Sequence, residues 1–214
     1  MVRKTKEETL ETRNQLLDAA EEVFYTKGYA QTTLMDVANH CGMTRGAIYW
    51  HFKNKVDLFE AMVDRVRTPL DALAEEPADE NEADPLKKMR EFSIQFLKDV
   101  CHDEQRRRVF TILFHRFETN GEVSELDQRQ QTAFCECTDR IERGLKNAVN
   151  KGQLPQDLDT KKAALIKHGY FGGLMTNWLF MPDLFDLDSM AESIVDNYIF
   201  MLKNSPFLRK ATAS

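Results

Sequence analysis

The chain has no run of 18 apolar residues, no CxxC pair among its four cysteines, and no glutamate three residues ahead of any of its five histidines. The first absence argues against a membrane-spanning helix. The basic residues at the start run into Glu7, Glu8 and Glu11 rather than an apolar stretch, which argues against a secretory signal. A cytoplasmic protein without membrane association is therefore expected. In a reducing compartment Cys41, Cys101, Cys135 and Cys137 stay thiols, most of them as small buried packing residues. Cys135 and Cys137 fall roughly 200° apart on a helix and face away from each other. The missing Glu-x-x-His pairs exclude a di-iron bundle, and neither a nucleophile elbow nor a phosphate loop is present. No catalytic residue, metal or cofactor is expected, and the chain does not read as an enzyme.

Acids outnumber bases, 35 to 29, for a net charge of -6. Such a chain is not generally attracted to phosphate. Yet acid is missing between Asp36 and Asp57, a stretch that holds Arg45, Lys53 and Lys55 together with His40 and His51. A second basic run, Arg3, Lys4 and Lys6, precedes Glu7. Salt limits exposed charges to a reach of roughly 8 Å, so the local potential decides what these patches attract.

Alternating β-branched runs are missing too, and apolar positions recur at helical spacing almost throughout. The spacing predicts an all-α chain of about nine helices. Leu10, Leu16, Leu17, Ala20, Val23 and Phe24 place a first helix over about residues 9–27, stopped by Gly28. Thr33 caps a second helix with Asp36 as the acid of a capping box, and Cys41-Gly42 ends it. Thr44 caps a third, ending near Asn54. Two short helices joined by a glycine turn make a helix-turn-helix, so residues 1–54 are expected to form a three-helix domain and residues 55–214 a helical bundle. A long helix over about 55–76 carries Pro69, which is expected to bend it. PADENEADP, residues 77–85, reads as a solvated acidic loop. Asp84 and Pro85 open a helix to about 102, and further helices are expected over about 103–117, 121–151, 160–180 and 188–204.

The stretch TRGAIYWHF, residues 44–52, concentrates the chemistry. Ile48 and Phe52 sit four apart and should face a small core with Val37, Leu34 and Phe24, which turns Arg45, Tyr49, Trp50 and His51 outward. Arg45, at the start of the helix, has the fork that matches the O6/N7 edge of guanine in a major groove. Gly46 lets the backbone come close to the groove, Ala47 suits a thymine methyl, and Tyr49, His51 and Lys55 suit phosphate oxygens. The hydroxyls of Thr33 and Thr44 and their helix N-termini could add phosphate contacts. Lys4, in the N-terminal basic run, joins this set. By residue type alone, an amphipathic helix whose aromatics pack on a neighbour stays open.

Residues 12–62, from TRNQLLDAAEEVF through GYAQTT and GAIYWHF to KVDLFEAM, resemble the DNA-binding domain of the TetR/AcrR family of regulators. Cys41 and Met43 stand where Ala and Val are common in that pattern. The resemblance implies that Arg45, Ala47, Tyr49, Trp50, His51 and Lys55 meet double-stranded DNA, and that a homodimer presents two such helices to a palindromic operator. Helix-turn-helix dimers space these helices about 34–36 Å apart, one turn of B-DNA. The segments RKTKEE, GAIYWHFKNK, ILFHRFE, NWLF before Pro182, and FLRK resemble the branch that represses multidrug efflux pumps of the resistance-nodulation-division type. That likeness implies a C-terminal pocket that takes an amphipathic or aromatic inducer and then releases DNA.

Residue chemistry adds candidates for such a pocket. Met89, Phe92 and Phe96 share one helix face, with Ser93 beside them; Phe110, Leu113 and Phe114 mark another, with Phe117 one turn on. Phe134, Cys137 and Ile141 face them from the next helix. His168, Phe171, Met175 and Trp178 do so from the one after, and Val66 from the connecting helix. Plain bundle core remains the other reading of these stripes. Thr111, His115, Glu118 and Asn177 are further polar candidates whose direction the sequence leaves open. Gly169, Gly172 and Gly173 suggest close helix approach, and Ile194, Tyr198, Met201 and Leu202 an apolar stripe for a four-helix dimer interface; the glycines could equally admit an intrachain helix or the ligand. Ligand entry near Val66 would shift the connecting helix and alter the spacing of the reading helices. A regulator of this type acting on a different gene, an activator, or a helical interaction protein that never meets DNA remains the alternative.

Overall fold

The computed structural model describes residues 6–117 and 125–210. Among them the chain is all-α, with nine α-helices: α1 (Lys6–Lys27), α2 (Leu34–His40), α3 (Arg45–His51), α4 (Lys55–Glu75), α5 (Pro85–His102), α6 (Glu104–His115), α7 (Glu125–Asn150), α8 (Thr160–Phe180) and α9 (Leu187–Asn204). Short 3-10 turns follow α4, at Glu76–Ala78, and α9, at Pro206–Leu208. No helix among the described residues is long and apolar enough to cross a membrane. The chain divides into two compact units, Met1–Thr68 with Gln105–Gln128, and Pro69–Glu104 with Arg129–Ser214. The first division falls inside α4, which continues through Pro69. Asn54, where the sequence reading ended its first domain, lies just ahead of α4 and inside the first unit.

In the first unit, α1 buries Leu16, Leu17, Ala20, Val23 and Phe24, one face at helical spacing. Gly28 ends it at φ 80, in the left-handed region where a side chain is strained. The capping box of α2 forms as expected. Asp36 N donates to Thr33 Oγ1 at 3.1 Å, and Thr33 N donates to Asp36 Oδ2 at 2.8 Å. Gly42, at φ 68, turns the chain into α3, whose cap Thr44 accepts from Ala47 N at 3.2 Å. α3 ends at His51 rather than near Asn54, because Phe52 takes an extended backbone and carries its ring into the core. Asn54 then caps α4, accepting from Asp57 N at 2.8 Å. The end of α6 closes on this core. Tyr29 N donates to Arg116 O at 2.9 Å, and Phe117 packs on Phe59 and Tyr29 with ring centroids 5.6 and 5.3 Å apart.

In the second unit α5 and α9 lie antiparallel, joined by the pairs Arg90–Asp196, Lys98–Glu192 and His102–Asp188. On α5, Leu86, Met89, Leu97 and Val100 are buried. That packing corrects one expectation: Ile194, Tyr198 and Leu202 do not form an outward stripe but are buried within the chain, Tyr198 donating to Ala163 O of α8 at 3.0 Å. The acidic segment between α4 and α5 is also more than a solvated loop. Pro77 is buried, and Asn147 of α7 donates to the carbonyls of Pro77 and Asp79 at 3.0 and 2.7 Å. A Cβ on Gly144 would stand 3.1 Å from Pro77 Cβ and 3.2 Å from Met89 Cε, so that glycine serves close packing. The thiols were expected to be mostly buried, yet Cys135 is exposed and the other three are half-buried. At the end of α2, the Cys41 thiol bonds to the carbonyls of Val37 and Ala38, which holds it at the helix edge.

Candidate functional site

The surface around α3 is built from its buried residues outward. Ile48 and Phe52 are buried with Val37, Leu34 and Phe24, as their spacing predicts. They fix the rotation of a helix only seven residues long. Arg45, Gly46, Tyr49 and Trp50 consequently point to solvent, Trp50 70% exposed and Tyr49 47%. The guanidinium of Arg45 stands 5.4 Å from the centroid of the Tyr49 ring, and the rings of Trp50 and His51 meet edge-on at 4.6 Å. Ala47 and His51 are half-exposed beside them. A Cβ at Gly46 would meet Thr44 Oγ1 at 3.9 Å, so among the described residues nothing requires glycine there.

Of the expected DNA set, Lys55 turns inward, and Thr33, although exposed, has its hydroxyl engaged at the surface. The Lys55 ammonium donates to the carbonyls of Tyr29 and Ala30 at 2.9 and 3.3 Å and lies 4.3 Å from the Tyr29 ring centroid. Burial pushes its pKa down. It braces the turn before α2 instead of reaching out as a phosphate-seeking side chain. The Thr33 hydroxyl donates to Asp36 Oδ2 at 2.6 Å, so its hydrogen is committed inside the capping box. Thr44, by contrast, uses its hydroxyl oxygen only as an acceptor. Lys4 lies outside the described residues. Of the flanking charges, Lys27 pairs with Asp36 at 2.7 Å and His40 with Glu22 at 2.7 Å. Lys27 and the Thr33 bonds hold the Asp36 carboxyl well below the usual carboxylate range.

The ligand-binding candidates divide between the units. Val66, Phe110, Leu113 and Phe114 belong to the first, where Val66 is buried and the Phe110 and Phe114 rings stack 6.2 Å apart. The others belong to the second. There Met89, Ser93, Phe171, Met175 and Trp178 are buried, while Phe92, Phe96, Cys137, Ile141 and His168 are half-buried and Phe134 is exposed. Ser93 donates to Met89 O at 2.6 Å and Thr111 to Arg107 O at 2.8 Å, so both hydroxyl hydrogens are held by their own helices. Asn177 is exposed, and Glu118 lies outside the described residues. α7 and α8 bring several of these groups together. The His168 ring stands 4.3 Å from that of Phe134, and its Nδ1 lies 3.4 Å from Thr138 Oγ1. Burial lowers the His168 pKa and raises that of the Cys137 thiol.

Sequence reasoning missed Lys167, which is buried in the same region. The signal was available: Ala163, Lys167, Phe171, Met175 and Trp178 recur at helical spacing, a cation inside an apolar stripe. Among the described residues no group of three or more His, Cys, Asp or Glu could hold a metal.

The sequence and the fold are both similar to those of known proteins. The N-terminal pattern of bacterial regulatory proteins of the tetR family matches residues 16–62, and that of the MAATS-type transcriptional repressor C-terminal region matches residues 84–204. The HTH-type transcriptional regulator TtgR of Pseudomonas putida is 44% identical over 210 residues, covering 98% of this chain and 100% of TtgR. The crystal structure of NalD, the secondary repressor of the MexAB-OprM multidrug efflux pump in Pseudomonas aeruginosa, superposes with a TM-score of 0.82 at 32% identity, covering 94% of this chain and 100% of NalD. A complex of triclosan with SmeT, the repressor of the Stenotrophomonas maltophilia multidrug efflux pump SmeDEF, gives a TM-score of 0.82 at 30% identity, covering 95% and 97%. Regulators of this kind are not catalysts. Matched along nearly its whole length, the chain belongs to the tetR family of bacterial regulatory proteins.

Proposed function

We propose that this chain is a ligand-responsive repressor that binds a palindromic operator as a homodimer and controls the genes of a multidrug efflux pump. The observation that carries the reading is the outward trio Arg45, Tyr49 and Trp50 on α3, which packing within the chain does not explain. Residues 1–54 supply the DNA-binding part, with Arg45 reading a guanine edge, Gly46 and Ala47 admitting the groove, and Thr44, Tyr49, Trp50, His51 and Lys4 meeting the backbone or base edges. Lys55 supports this surface from within, and Thr33 caps α2 beside it. Residues 55–214 supply ligand binding and dimerisation. The efflux-pump assignment is supported by the roles of NalD and SmeT, and the aromatic or amphipathic effector by the triclosan complex of SmeT.

The dimer reading draws on α8. Its inward face is apolar but for Lys167 and Thr160, and its outward face carries Leu165, Ile166, Gly169, Gly173 and Phe180, all exposed and within about a 100° arc. Among the described residues, nothing beyond the helix's own neighbouring turns lies within 4 Å of a Cβ built on Gly169 or Gly173, so these glycines suit an approach from outside the chain. A helix apolar on both sides needs cover on both. Ligand binding would bias α4, which belongs to both units, and a coupling of about 1–3 kcal/mol is the usual scale of such switching. A gel shift with the DNA upstream of the protein's own gene and of a neighbouring transporter operon tests the reading. Specific retardation, reversed by triclosan, is expected. Retardation no stronger than with random duplex would overturn it.

A further inference from the structure

Two charged side chains are buried among the described residues, Glu21 and Lys167. Glu21 is met by Arg65 and by Gln105, whose amide donates to it at 2.8 Å. Lys167 has no such partner. It is 8% exposed, on the inward stripe of α8, and its ammonium lies 5.8 Å from the centroid of the Phe171 ring. Among the described residues no carboxylate and no hydrogen-bond acceptor holds it, and the ionisable group that acts on it is Cys137 of α7, whose thiol burial keeps protonated. Phe134, Thr138 and His168 gather at the next position of the same helix pair.

An ammonium largely taken out of water without a counter-charge is unfavourable, and a methionine of similar length would fill the same space without that penalty. Its pKa falls to about 8, because burial disfavours the charged form, which still leaves it mostly protonated at neutral pH. What the chain does not supply, a ligand can. We propose that Lys167 is the counter-charge for an anionic group, a carboxylate or phenolate, on an aromatic effector seated between α7 and α8 beside Phe134, His168 and Phe171. The inference rests on the C-terminal half being the ligand-binding part, and it names the effector's chemical class.

Calorimetric titration of the full-length protein with biphenyl-4-carboxylate and with its uncharged amide tests this, in the wild type and in Lys167→Met and Lys167→Gln, with circular dichroism confirming that each variant is folded. The wild type is expected to bind the carboxylate at least about tenfold more tightly than the amide. Both variants are expected to lose that preference while still binding the amide. Equal affinity of the wild type for the two probes, or a preference that survives both substitutions, overturns the role of Lys167 and leaves the ligand-binding reading standing. A folded wild type that binds neither probe overturns the two together.

Discussion

At Gly46 folding and DNA binding pull in opposite directions. Glycine inside a helix costs about 1 kcal/mol against alanine, and a Cβ there has room. Gly46→Ala is therefore expected to raise the melting temperature slightly and to weaken operator binding. A gain in both would show that the groove needs no glycine there. Arg45 and Lys55, both cations in the acid-free stretch, separate in the same way. Arg45→Ala is expected to cost about 1–3 kcal/mol of specific operator binding and nothing in stability. Lys55→Ala leaves the Ala30 carbonyl without this donor and the Tyr29 carbonyl with Thr32 N alone, so it is expected to lower stability by about 1–2 kcal/mol and to leave the salt slope of binding unchanged. Paired melting curves and salt titrations distinguish the two. Lys167 carries a pH signature. Its folded pKa, about 8, lies below the unfolded value of 10.5, so between these two the unfolded chain binds more protons and stability rises with pH. The gain is on the order of 3 kcal/mol across that window, and Lys167→Met should show the higher stability already at neutral pH. Denaturant melts from pH 7 to 10 that rise equally in both proteins would remove this assignment.

Elements were legible in the sequence where local chemistry decides them. The Thr33–Asp36 box, the Asp84–Pro85 opening of α5 and the bounds of α8 all follow from residues within one turn. α3 came out shorter than expected because a tertiary demand, burial of Phe52, overrides local helix preference. The same holds for α9. Its Ile194, Tyr198 and Leu202 read as an outward stripe, yet all three are buried, with Tyr198 against Phe171 and the Ala163 carbonyl of α8. Around α3 the outward residues were legible from the periodicity of Ile48 and Phe52. The inward turn of Lys55 was not, since its acceptors are backbone carbonyls that no side-chain pattern announces. The α2 cap provides a test at this scale. Thr33→Ala is expected to cost about 1 kcal/mol. Asp36, its pKa held down by Lys27 and Thr33, contributes stability that is full above its unfolded pKa near 4 and is lost as pH falls below it. Acid melts of Thr33→Ala should therefore be less steep below that pH, and curves parallel to the wild type would contradict the coupling.

For the whole molecule the question is how a chain of net charge -6 holds DNA. One copy offers a short helix and few outward cations, and a single half-site of that size binds weakly. Two copies joined rigidly turn the second contact into an intramolecular event, which multiplies affinity by about 10² to 10⁴ without any new contact. The outward face of α8 is where that joining is proposed, and its exposure within the chain makes the proposal separable from folding. Leu165 and Ile166 are 46% and 39% exposed, so charging them removes little from the packing of one copy. The double variant Leu165→Glu, Ile166→Glu is thus expected to keep its helix content and melting temperature, to sediment as a monomer, and to lose at least about a hundredfold in operator affinity. A variant that stays dimeric would place the subunit contact elsewhere. A monomer that binds the full operator as tightly as the wild type would break the link between symmetry and affinity on which the repressor reading depends.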